Sequence, residues 1–126
     1  MAKIEALDKG VSEAIMYNHE GYVAEASGDN VFIVNDGAIY TPPSQAGSLE
    51  GITRQVVIRL AKAENIEVVE KNLTRFDLYV CDEFFLTGTA AEVIGIVNID
   101  GRLVGDGKPG PVTNLLRKRF FEYARS

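Results

Sequence analysis

The residues with the clearest chemical use are Ser48-Leu49-Glu50-Gly51-Ile52-Thr53-Arg54, which run into the helical pattern from Gln55 to Glu64. Gly51 has no side chain to hold a ligand away. If the helix begins just after it, the free backbone N–H groups of about Ile52 and Thr53 point forward, at the positive end of the helix dipole. Those donors and the Thr53 hydroxyl suit a phosphate. Two other stretches could serve the same kind of site. Glu25 precedes a run of small residues, Ala26-Ser27-Gly28-Asp29-Asn30, where its carboxylate could project into a cavity. Gly88-Thr89-Ala90-Ala91-Glu92 offers hydroxyls and free N–H groups in a small-residue loop. Each stretch also has a plainer reading: a helix cap, a surface glutamate at a strand end, and a tight connection between strands.

Other chemistries are poorly served. The single histidine, His19, lies in a polar turn, and there is one cysteine, Cys81. No Ser/His/Asp or Cys/His nucleophile can be assembled without that histidine, and one His with one Cys is too little for a zinc site, so no metal is expected. A net charge of -5 argues against nucleic acid as a partner, because backbone recognition needs a basic face. The one basic cluster, Arg117-Lys118-Arg119, falls inside a helical pattern and reads as a solvated face. The lone cysteine fits a reducing cytoplasm, and the absence of a long apolar run or a leader-like start argues against a membrane. With 126 residues, 46% of them hydrophobic, the chain suffices for one domain, residues 1–126, with a core that needs no disulfide.

The elements that must position these residues follow from pattern and punctuation. Residues 1–9 are expected as a short helix, with Ile4 and Leu7 three apart and Gly10 as its stop. Glu13 to Tyr17 and Tyr22 to Ala24 form a hairpin, and Val31-Phe32-Ile33-Val34 turns through Asn35-Asp36-Gly37 into Ala38-Ile39-Tyr40-Thr41. A proline-stiffened loop from Thr41 to Gly47 leads to the middle helix. Strands are expected at Ile66–Glu70, Asp82–Thr87 and Val93–Ile99, with a short helix capped by Thr74 between the first two. Asp100-Gly101 turns the chain into Arg102-Leu103-Val104. The last helix starts at Pro111 and places Val112, Leu115, Leu116, Phe120 and Tyr123 on one face. The fold class is therefore α+β, mainly antiparallel strands with two principal helices, and not a dinucleotide-binding unit.

Taken together and in this order, five motifs carry a resemblance. They are Glu25-Ala26-Ser27-Gly28-Asp29-Asn30-Val31-Phe32, Tyr40-Thr41-Pro42-Pro43, Leu49-Glu50-Gly51-Ile52-Thr53-Arg54, Asp82-Glu83 with Thr87-Gly88-Thr89-Ala90-Ala91-Glu92, and Gly105 to Thr113. The set resembles the branched-chain amino acid aminotransferases, within the class IV (fold type IV) pyridoxal-phosphate enzymes, and covers essentially the whole chain. The resemblance implies the C-terminal, cofactor-binding domain of the D-amino acid aminotransferase-like fold, a pseudo-barrel. It implies pyridoxal 5'-phosphate as cofactor. Glu25 would accept a hydrogen bond from the protonated pyridine nitrogen and keep the ring electron-withdrawing. Leu49 would pack on one ring face. Gly51, Ile52 and Thr53 would hold the phosphate, with Thr89 adding a contact. The N–H groups of Thr89 and Ala90 would help to hold the substrate carboxylate, and the small side chains of Ala90 and Ala91 would leave room for it.

The same resemblance implies that the lysine bonding the cofactor lies upstream of this chain, so no catalytic residue is assigned within it. Lys3, on the expected first helix, is not promoted to that role. The smaller N-terminal domain would be missing, and the isolated chain is expected to be inactive. The full-length parent would transfer the amino group of Leu, Ile or Val to 2-oxoglutarate, as a homo-oligomer. Alternatives are a D-amino acid aminotransferase or aminodeoxychorismate lyase domain, or a non-catalytic module that binds pyridoxal phosphate or phosphate. Ala26 stands where the family commonly has glycine, and Gly95 where a proline often follows the Thr-Ala-Ala-Glu loop.

Overall fold

The computed structural model describes residues 2–6, 12–17, 20–26, 30–43, 49–87 and 92–125. They form an α+β fold with one mixed sheet and three helices. In chain order the elements are β1 (Ala2–Ala6), β2 (Ser12–Tyr17), β3 (Val23–Ala26), β4 (Asn30–Asn35), β5 (Ala38–Thr41), α1 (Leu49–Ala63), β6 (Val68–Glu70), α2 (Arg75–Val80), β7 (Glu83–Thr87), β8 (Val93–Ile99), β9 (Arg102–Leu103) and α3 (Pro111–Arg125). The sheet order is β3-β2-β1-β8-β7-β4-β5-β6, with β9 beside β8. All pairs are antiparallel except β5 with β6, which are joined through α1. Because β3 also lies against β4, the sheet curls back on itself.

The expected helix at residues 1–9 is corrected by the structure. Residues 2–6 are a strand, held between β2 and β8. Ile4 and Ala6 are buried while Lys3 and Glu5 are exposed, an alternation of period two that only a strand produces. The Ile4–Leu7 spacing fits a helical turn, but a segment this short with so few apolar positions cannot hold a helix alone. Two neighbouring strands instead supply the backbone partners. The other expected elements are present, with ends shifted by a few residues.

Local chemistry accounts for several junctions. Asp36 and Gly37 at the β4–β5 turn have φ of 50° and 80°, and Asp100 and Gly101 at the β8–β9 turn have 52° and 81°. Two successive left-handed residues match the twist of a hairpin. At α2 the Thr74 hydroxyl accepts from the Asp77 N–H, and Asp77 Oδ2 accepts from the Thr74 N–H at 2.8 Å, a reciprocal cap.

Two apolar clusters lie on opposite faces of the sheet. Inside the curl, Ile4, Ile15, Val31, Ile33, Phe84, Leu86 and Ile99 pack with Leu78 of α2. On the other face, Phe32, Val34, Ile39 and Phe85 meet Val56, Val57 and Ala61 of α1 and Leu116 and Phe120 of α3. The alternation along β4 and β7 feeds both layers, so these central strands are buried almost throughout.

Cys81 follows α2 and is buried against the first cluster. Burial, reinforced by Asp82, Glu83 and Asp77 nearby, pushes its thiol up to about 12. The thiolate is the reactive form, so Cys81 is expected to resist a disulfide reagent at mildly alkaline pH and to react stoichiometrically in denaturant. Rapid native labelling would contradict this burial.

Candidate active site at one end of the sheet

Strand direction brings most of the expected site residues to one end of the sheet. The ends of β1, β3, β5, β6 and β7 and the starts of β2, β4 and β8 all lie there, as the registers require. Asn30, which begins β4, pairs with Thr87, which ends β7, and Thr87 pairs with Val93, which begins β8. Glu25 stands next to last on β3, opposite Met16. Thr89, Ala90 and Ala91 lie outside the described residues, but the strands before and after them end and begin at this edge. His19 is also outside the described residues.

Helix α1 starts at the same end. Its Arg54 side chain donates to the carbonyl of Pro42, just past β5, and to Glu70, the last residue of β6. The helix begins at Leu49, earlier than the Ile52 expected from the glycine. A helix leaves its first-turn N–H groups without internal acceptors, so the free donors fall at Leu49, Glu50 and Gly51 rather than at Ile52 and Thr53. Ile52 itself is exposed and Thr53 half-buried.

Several polar groups are buried at this end. Thr41 is buried and donates its hydroxyl to the Val31 carbonyl at 2.7 Å. Thr87 is fully buried, and its hydroxyl has no hydrogen-bond partner among the described residues. Arg54 is 1% exposed, with Nη2 bonded to Pro42 O at 3.1 Å and Glu70 Oε2 at 3.0 Å, while Nη1 has no acceptor among the described residues. Arg117 of α3 donates from Nε to the carbonyl of Val93. Buried donors left open normally find a partner, so this end of the molecule has the chemistry to receive an anion.

Reading the motif alone gives Arg54 no role. A signal is nonetheless present: Arg54 lies three, four and seven residues before Val57, Ile58 and Ala61, on the apolar stripe of α1. A charge in that stripe must be buried or must twist out.

The opposite end is organised differently. Lys3 accepts at its carbonyl from the Asp100 N–H, and its own N–H donates to Asp100 Oδ1. Lys3 therefore lies on β1, bonded to the turn at the other end of the sheet, and not on a helix. Tyr79 donates to Asp100 Oδ2 at 2.6 Å, and these bonds hold the Asp100 carboxyl below its usual range. Among the described residues no group of His, Cys, Asp and Glu could hold a metal ion, and no helix is long and apolar enough to cross a membrane.

Comparison with known proteins decides the family. The model of the amino-transferase class IV family matches residues 1–99. The chain belongs to the class IV aminotransferases. The branched-chain-amino-acid aminotransferase of Pseudomonas aeruginosa is 50% identical over 122 residues, covering 97% of this chain and 39% of that protein. The corresponding Escherichia coli K12 protein is 45% identical over 117 residues, covering 93% of this chain and 38% of that protein. Among solved structures, the E. coli branched-chain amino acid aminotransferase superposes with a TM-score of 0.80 at 46% identity, covering 86% of this chain and 37% of the other. The branched-chain aminotransferase of the thermophilic archaeon Thermoproteus uzoniensis, solved with norvaline, gives a TM-score of 0.79 at 47% identity, covering 87% and 36%. This class IV aminotransferase chain therefore spans about two-fifths of the length of such relatives.

Proposed function

We propose that this chain is the cofactor-binding domain of a branched-chain amino acid aminotransferase, with pyridoxal 5'-phosphate at the sheet end where α1 begins. The observation that carries the reading is the convergence there of a helix start with buried, unfilled donors on Arg54 and Thr87. Such a donor set fits a phosphate. The identity to enzymes named for this activity, about one half, narrows the family to the branched-chain group and disfavours the lyase and D-amino acid alternatives. Its finer fold is that of the D-amino acid aminotransferase-like C-terminal domain, a pseudo-barrel.

In this proposal the first-turn N–H groups of α1, from Leu49 to Gly51, and the Thr53 hydroxyl hold the phosphate with Ile52 alongside, and Leu49 faces the ring. Glu25 accepts from the pyridine nitrogen. Thr89 supports the phosphate, the N–H groups of Thr89 and Ala90 help to hold the substrate carboxylate, and the small Ala90 and Ala91 side chains leave room for it. When bound, the cofactor supplies the electron sink that makes the substrate Cα–H acidic. The residues of this chain hold and orient the reactants. The lysine that would bond the cofactor, and would also serve as base toward the Cα proton, belongs to the remaining part of such a protein. The reaction is amino transfer from Leu, Ile or Val to 2-oxoglutarate, in a cytoplasmic homo-oligomer.

Titrating pyridoxal phosphate into the purified chain, followed by borohydride reduction and intact-mass measurement, tests this. Saturable binding with no specific covalent adduct is expected. Thr53→Ala should weaken binding by roughly tenfold, about the worth of one charge-assisted hydrogen bond. No saturable binding would sink the proposal, and a single stoichiometric adduct on one lysine would show that the covalent residue lies within this chain.

A further inference from the structure

Arg54 is the largest fully buried side chain of the described residues. A guanidinium cannot shed its charge, and it carries five N–H donors. Nη2 reaches Pro42 O and Glu70 Oε2, while Nη1 is buried with no acceptor among the described residues. Glu70 is 56% exposed, so water and salt screen its charge and it compensates the buried cation only in part. The guanidinium bonds groups at the ends of β5 and β6, at the edge of the sheet where α1 begins, and so lies on the side of the positive pole of α1. A cation there is opposed by the helix dipole. Among the described residues, both the open donor and the partly compensated charge favour negative charge at the first turn of α1.

Resting on the phosphate-site reading above, we propose that Arg54 is a positioning residue for the bound anion. It fastens the start of α1 to the ends of β5 and β6 and places a buried positive charge behind the phosphate-binding donors. Glu70 is its counterweight. By neutralising Arg54 from the solvent side, Glu70 sets how tightly the anion is held. Arg54 acts through the first turn and does not touch the reacting atoms.

The two residues have opposite signatures. Inorganic phosphate, then pyridoxal phosphate, is titrated calorimetrically at low ionic strength into the intact chain and its variants, with a thermal melt of each. Glu70→Gln should bind phosphate roughly threefold more tightly than the parent chain, because a screening charge has been removed, while its melting temperature falls. Arg54→Gln should bind roughly tenfold more weakly. Arg54→Lys should fall between, since it restores the charge but not the planar fork. A merely structural ion pair predicts the reverse for Glu70→Gln: a looser turn and weaker binding. Unchanged or weaker phosphate binding by Glu70→Gln overturns the proposal even if Arg54→Gln does not fold. A folded Arg54→Gln that binds as the parent does also overturns it. If the parent chain binds neither anion, the phosphate-site reading fails and takes this inference with it.

Discussion

Phe85→Ala is expected to lower the unfolding free energy by about 3–5 kcal/mol, the range for removing a fully buried aromatic ring. Phe85 sits on β7, with strands on both sides, and its register partner on β4 is Phe32. Their rings stack at 4.9 Å with an interplanar angle of 3°. Both α1 and α3 pack on this pair through Val57, Leu116 and Phe120. Truncation would therefore open a cavity bounded by β4, α1 and α3, which cannot all collapse into it. Phe76 on α2 is 70% exposed, and Phe76→Ala should change stability by no more than about 0.5 kcal/mol. Urea unfolding of the two variants checks the layering, and similar costs would refute it.

The second large effect concerns the start of α3. Glu83, buried at the beginning of β7, accepts from the Thr113 N–H at 2.8 Å and from the Val112 N–H at 3.2 Å. The helix has no acidic residue of its own in the first turn, and Pro111 at its start has no N–H to satisfy. A strand carboxylate thus caps a helix that starts well beyond it in the chain, and its charge suits the positive end of the dipole. Gly110 makes room for it: a Cβ there would overlap the Glu83 carboxyl group. Gly110→Ala should cost about 2–4 kcal/mol, through overpacking and expulsion of the cap. Glu83→Ala alone should cost about 1–3 kcal/mol. Because alanine at 83 removes the obstruction, the double variant should be clearly less destabilised than the two single costs combined. Simple additivity in thermal or urea unfolding would show that the two residues do not share this contact.

The pairing of Glu83 with Gly110 also shows why motifs spread along the chain can look chemical while serving the fold. Asp82-Glu83 and the Gly-Pro-rich run to Thr113 both contribute to the family resemblance, and both lie away from the start of α1. Gly95 has a similar explanation, since a side chain there would press on Pro109 at 3.1 Å. This position, where the family resemblance leads one to expect proline, is here packed closely from outside the strand.

Local chemistry was enough to determine the two Asp-Gly hairpins, the Thr74 cap, the buried β4 and β7 runs and the apolar faces of α1 and α3. In each case neighbouring residues supply the decisive energy: left-handed turn residues, a side chain returning to its own backbone, or apolar spacing of fixed period. The five motifs in their order sufficed for the family, because their joint occurrence specifies far more than any one of them. Tertiary structure decided what depends on distant partners. Residues 2–6 form a strand because β2 and β8 offer hydrogen bonds that an isolated short helix lacks. Glu70 and Pro42 meet Arg54 only because β5 and β6 run parallel and end together. The convergence of β3, α1, β7 and β8 at one edge follows from strand direction and sheet order, which no local pattern encodes. A buried charge such as Arg54 reveals its use only when the groups around it, and the donor it leaves open, are seen in place.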